Sequence, residues 1–175
     1  MDQTFCERLV ESFESRPERT AMRIVGSSGD VYTWGEMLSQ VRSIAYRLEQ
    51  EGVSKGDRVA LIGENHPNWA IAYLGTLLRG AVIVPLDPHG EIETITNFLE
   101  NSEAKVAFLS SGQTERFQHI KAKLNREIKA VAWSDQSEPP ALSGDRSGEQ
   151  SNSLSSYGGG SDFADWATTE IPAEF

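Results

Sequence analysis

Residues Gly56 to Pro88 read GDRVALIGENHPNWAIAYLGTLLRGAVIVPLDP, and the apolar spacing changes period twice within them. Arg58 to Ile62 is a short unbroken apolar run behind a Gly-Asp turn, the pattern of a strand buried on both faces. Pro67 to Leu78 is apolar almost all round and opens with a proline in its first turn, where the missing N–H costs nothing, so it predicts a helix. Ala81 to Val84, fenced by Gly80 and Pro85, predicts a second buried strand. Strand, helix and strand joined by tight turns make a βαβ unit, with parallel strands and a right-handed crossover.

The same alternation continues downstream. Glu91 to Glu100 reads as a helix with Ile92, Ile95 and Leu99 on one side, Lys105 to Leu109 as a strand, Gln113 to Leu124 as a helix on Phe117, Ile120 and Leu124, and Lys129 to Trp133 as a strand. Upstream, Thr4 to Glu7 has the spacing of a capping box, and Phe5, Leu9 and Phe13 share one helical face until Arg16-Pro17 stops it. Thr20 to Val25 and Val31 to Thr33 are β-prone runs around the turn-rich Gly26 to Asp30, which predicts a hairpin. A second capping box, Thr33 to Glu36, starts a helix carrying Trp34, Met37, Leu38, Val41, Ile44, Ala45 and Leu48, and Gly52 closes it. The fold class is α/β: βαβ units with a mostly parallel sheet, preceded by an amphipathic helix and a β-hairpin.

Composition divides the 175 residues in two. Residues 1–133 hold the periodic segments. Residues 134–175 run through Pro139-Pro140, Ser151 to Ser156 and Gly158-Gly159-Gly160, and carry eight acidic residues against Arg146 alone, so −7 of the net charge of −10 lies there. Such a segment predicts an acidic linker or disordered tail. The overall charge argues against nucleic acid or anionic lipid as partner. The single cysteine, Cys6, cannot form an internal disulfide, no stretch is apolar enough for a transmembrane segment, and the first residues do not form a signal peptide. A cytoplasmic location is the expectation.

Catalytic apparatus is absent from the motifs. There is no G-x-x-x-x-G-K-[ST] loop and no G-x-G-x-x-G string. Gly63 follows a strand where a phosphate turn could sit, but Glu64 beside it repels phosphate, so Gly63 reads as a plain turn. Gly144 to Gly148 sets its serine one place off the nucleophile-elbow spacing, with no strand before it. His66, His89 and His119 lack ligand spacing, and Cys6 lies on the helical side of Val10, where a thiol serves as a small hydrophobe. No residue is assigned a catalytic, cofactor-binding or metal-ligating role.

The turns are distinctive. Tyr32-Thr33-Trp34-Gly35-Glu36-Met37-Leu38, Gly56-Asp57-Arg58-Val59, Asn65 with Trp69, and Gly80 to Pro88, in that order and spacing, resemble the amino-terminal subdomain of the AMP-forming acyl-CoA synthetases over about residues 5 to 133. Pro85-Leu86-Asp87-Pro88-His89, followed by a helix containing Glu100-Asn101-Ser102-Glu103-Ala104-Lys105, resembles the long-chain fatty acid CoA ligases more than the acetyl or aromatic ones. The resemblance implies a parent enzyme that uses ATP, Mg and CoA to convert a fatty acid to its acyl-CoA, with AMP and pyrophosphate released. The family's Pro-Lys-Gly loop, Tyr-Gly-x-Thr-Glu string and catalytic lysine have no counterpart here. The expectation is therefore a truncated fragment that is catalytically incomplete and binds none of these cofactors by itself.

Its expected partner is the remainder of the ligase, or a second copy through an exposed apolar face. Ile71, Leu74, Leu77 and Leu78 are spread around their helix and cannot all face one core. The competing readings are a stand-alone α/β binding or interaction module whose acidic tail engages a basic partner, and a small flavodoxin-like domain.

Overall fold

Both capping boxes form and fix where the first helices begin. The computed structural model describes residues 4–25, 31–133 and 161–173. In α1 (Phe5–Glu14) the Thr4 hydroxyl accepts from the Glu7 backbone N–H while the Glu7 carboxylate accepts from the Thr4 N–H at 2.7 Å. Thr33 and Glu36 repeat this at the start of α2 (Trp34–Gln50). Between them β1 (Thr20–Arg23) and β2 (Val31–Thr33) pair antiparallel as the expected hairpin, whose turn lies outside the described residues.

The main sheet takes its strands in the order β4 (Val82–Leu86), β3 (Arg58–Ile62), β5 (Val106–Ser110), β6 (Lys129–Trp133) and β7 (Ser161–Asp162), all parallel. Side chains alternate between its faces. Val59, Leu61, Val106, Phe108, Val131 and Trp133 join one core with α2 and α3 (Pro67–Leu78), while Ala60, Ile62, Ala107, Leu109 and Ala130 join a second with α4 (Ile92–Ser102) and α5 (Thr114–Lys121). The layout is doubly wound, with helices on both faces as parallel sheets require.

Three expectations need correction. The strand expected to stop before Pro85 continues through it to Leu86. Among the described residues β4 pairs with β3 alone, and an edge position tolerates a residue without an N–H. Secondly, the tail does not stay apart from the domain over its described part. Ser161–Asp162 joins the sheet, and α6 (Phe163–Ala167) buries Phe163, Trp166 and Ala167 in the α2-side core. Those three residues have i, i+3, i+4 spacing, which an average over 42 mostly polar residues conceals. The Ser/Gly-rich part of that tail, including Gly144 to Gly148 and Gly158 to Gly160, lies outside the described residues.

Thirdly, the sheet is not left uncovered, because the chain's own helices reach both faces. Ile71 is buried and Leu74, Leu77 and Leu78 are half-buried; among the described residues the exposed large apolar side chains are Phe5 on α1, Val25, Val31 on β2, Phe98 on α4 and, on the β4 edge, Val82 at 48%. Among the described residues no helix is long and apolar enough to cross a membrane.

Candidate functional site

In a doubly wound sheet, ligands gather at the carboxyl ends of the strands where the chain reverses its direction of travel across the sheet. Here that point lies between β3 and β5, since β4 was added on the other side of β3. Four segments converge on this edge: Gly63 to His66 after β3, Asp87 to Gly90 after β4, Ser110 to Gln113 after β5, and Trp133 at the end of β6.

Their side chains fill the crevice. A Cβ placed on Gly63 would lie 2.6 Å from Trp133 Cζ2 and 2.9 Å from Ser110 Cβ, so only glycine fits where the indole passes beneath the turn. The Glu64 carboxylate accepts a hydrogen bond from Ser110 Oγ at 2.6 Å and another from Gln113 Nε2 at 3.1 Å. The Ser110 hydrogen bond, more than the Gln113 bond and the nearby His89, holds its pKa below the usual glutamate value. An ionised carboxylate thus stands at the reversal point.

The flanking turns are occupied as well. His66 Nδ1 accepts from the Asn68 N–H at 3.1 Å and caps α3. Asp87 accepts from the His89 N–H at 2.9 Å, and the Arg116 guanidinium donates to the carbonyls of Pro88 and Gly90, which ties this turn to α5. The described residues at this edge do not fit a nucleotide phosphate.

The Glu64 arrangement sets an acid-side expectation. Because its folded pKa lies below the unfolded one, its contribution is present above the ordinary glutamate pKa of about 4.3 and is lost as pH falls through the folded value. Ser110→Ala should therefore raise the Glu64 midpoint in a carboxyl NMR titration. An unmoved midpoint would contradict the hydrogen-bond assignment.

The other residues singled out in the sequence are dispersed. His119 lies in the last turn of α5, and Cys6 Sγ donates to the Leu77 carbonyl at 3.3 Å, joining α1 to α3. Among the described residues no group of three His, Cys, Asp or Glu side chains could hold a metal. Ser110 and Gln113 did not stand out in the sequence. Their only signal is a polar run, Ser110-Ser111-Gly112-Gln113, directly after an apolar strand. At the opposite end of the sheet Lys105, Lys121, Arg126 and Lys129 line a shallow basin with Glu51 and Glu127. Its cations are engaged: Lys105 lies 2.6 Å from Asp57 and lowers that carboxyl's pKa, and Lys129 pairs with Glu51.

Residues 9–168 match the family described as AMP-binding enzyme. The chain belongs to this family. As an AMP-binding enzyme chain it is 33% identical over 107 residues to a linear gramicidin synthase of Brevibacillus parabrevis, covering 61% of this chain and 1% of that protein. It is 26% identical over 117 residues to 4-coumarate–CoA ligase 3 of Arabidopsis thaliana, covering 67% of this chain and 20% of the relative. Its fold matches that of acetoacetyl-CoA synthetase from Streptomyces lividans with a TM-score of 0.75 at 19% identity, over 95% of this chain and 25% of the other. The chain thus spans a quarter or less of each of these proteins. The family match runs through β7 and α6.

Proposed function

We propose that this chain is the amino-terminal part of an ATP-dependent, AMP-forming ligase that joins a long-chain fatty acid to CoA in the cytoplasm. The observation that carries this reading is the family match over residues 9–168, which takes in the turns Gly56 to Val59 and Gly80 to Pro88. A carboxylate is a poor electrophile, and its conversion to an acyl-adenylate gives the CoA thiol a carbonyl from which AMP departs. ATP, Mg and CoA belong in this proposal to the rest of the enzyme, since the carboxyl edge of this sheet carries Glu64 in place of phosphate donors. The fatty acid preference is supported by Pro85 to His89 and by Glu100 to Lys105.

The outer side of α3 and the β4 edge are the surface on which the rest of the ligase, or a second copy, would pack. Trp69 and Tyr73 stack there, half-buried, with ring centroids 5.4 Å apart. A second reading, a stand-alone binding module, is favoured by the cover on both faces of the sheet.

Carboxylate-dependent exchange of pyrophosphate into ATP separates the two. The 175-residue chain should give no exchange above a no-protein control, because placed donors and cations at the transferring group are what such catalysis needs. The product of the full genomic reading frame should exchange with palmitate at least about tenfold faster than with 4-coumarate or free amino acids, a modest discrimination for a pocket built around a long chain. Exchange by the 175-residue chain alone would overturn the fragment reading. A preference for 4-coumarate or an amino acid would overturn the substrate assignment.

A further inference from the structure

The two edges of the main sheet differ in how open they are. β7 is two residues long, too short to template another strand. β4 runs for five residues, Val82-Ile83-Val84-Pro85-Leu86, with no charged side chain among them. It keeps unbroken register with β3 from Arg58↔Val82 to Ile62↔Leu86, and Val82 and Pro85 are exposed. An uncharged, β-branched, regular edge is the kind that pairs with another chain. Short length, a bulge and an edge charge all protect such strands, and β4 has none of these.

The register fixes which backbone groups of β4 point outward. The Val82 N–H donates to the Asp57 carbonyl at 2.7 Å, on the β3 side. Successive residues of a strand direct their N–H and C=O groups to opposite sides, so Val84 and Leu86 also face β3, whereas Ile83 and Pro85 face the open edge. Proline at position 84 or 86 would have removed a ladder bond to β3. At position 85 it removes a donor only from the outer side. A second copy paired antiparallel and centred on Val84 would set Ile83 opposite position 85 of the other copy. Residues so placed exchange two N–H···O=C bonds, and proline withholds one of them in each of the symmetric pairs.

We propose that Pro85 closes the β4 edge to strand addition, and that the partner it excludes is a second copy of this chain. A protein that packs on this flank does so through side chains, and the sheet does not continue past β4. The inference is independent of the ligase reading, because it uses only strands of the described fold and is tested on the 175-residue chain.

The test restores the donor. Pro85→Val and Pro85→Thr each supply an N–H on the open edge and keep a residue suited to a strand. By sedimentation equilibrium each variant should self-associate at least about tenfold more tightly than the parent chain, the effect of the regained hydrogen bonds. Val82→Lys places a charge on the same exposed edge and should return Pro85→Val to the behaviour of the parent. In the associated variant the Ile83 amide should exchange with deuterium at least about tenfold more slowly than in the parent. A cooperative urea transition at low concentration shows that the fold is kept.

Folded variants that associate no more than the parent overturn the proposal. So does association that Val82→Lys leaves intact, which places the contact on another surface. Association of the parent that Val82→Lys weakens overturns it equally, since the edge is then open with proline in place. If Pro85→Val alone fails to fold, Pro85→Thr carries the test. Loss of folding in both shows that β4 itself needs the proline and overturns its role as an edge guard.

Discussion

Trp166→Ala is expected to destabilise the protein by about 3–5 kcal/mol, read as a shift of the urea midpoint at unchanged slope. Trp166 is fully buried between α2 and the sheet, edge-on to Phe108, so truncation removes the transfer term and leaves a cavity lined by large rings that cannot collapse into it. Arg47 and Lys129 would also lose the ring they stand over, worth about 0.5–1 kcal/mol each at partly exposed positions. Trp166→Phe should cost far less. Among the described residues the indole Nε1 has no hydrogen-bond partner, so phenylalanine forfeits volume but none of the described bonds. A loss below about 1 kcal/mol for Trp166→Ala would mean that α6 contributes little to this core.

That α6 escaped the sequence reading while α3 did not follows from how each is surrounded. Pro67 to Leu78 sits between two strands whose apolar runs announce themselves, and Gly80 and Pro85 punctuate the exit, so each boundary is specified locally. Phe163, Trp166 and Ala167 instead follow a long polar, acidic stretch, and what makes them helical is the groove they enter, supplied by Phe108 and Trp133 from elsewhere in the chain. The carboxyl edge shows the same division. Glu64 as a carboxylate at a phosphate-turn position could be read directly, whereas its partner Ser110 is 46 residues away and becomes its neighbour only when β3 and β5 pair. Cover on both sheet faces was hidden for a related reason. Periodicity shows that Val59 and Ala60 are both buried, but which helix lies over each depends on crossover handedness and strand order.

Strand order also governs the second large effect, because α3, crossing from β3 to β4, is brought against α2 on the same face. Gly75→Ala is expected to destabilise by about 1–3 kcal/mol, although alanine favours a helix over glycine by about 1 kcal/mol. A Cβ at position 75 would meet Ile44 Cγ2 at 2.6 Å, Ile44 Cβ at 2.7 Å and the Val41 carbonyl oxygen at 3.0 Å. None of these is the far end of a flexible side chain. Ile44 is β-branched and fully buried, so it has no rotamer into which to retreat, and the clash must be relieved by moving α2 as a body. That motion disturbs Val41 and Leu48 on the same face, both fully buried. Gly75→Val should cost more than Gly75→Ala. Gly52→Ala provides the contrast: nothing lies within 4 Å of its Cβ position, and only the φ of +74° opposes the side chain, at about 1–2 kcal/mol. Ile44→Ala would keep the Cβ at 2.7 Å, so the cause is isolated with Ile44→Gly, which removes both the Cγ2 and the Cβ from the contact. In that background Gly75→Ala should cost less than in the parent, giving a coupling energy of about 0.5–3 kcal/mol, whereas equal costs in both backgrounds would show that the α2–α3 spacing is not set by this contact.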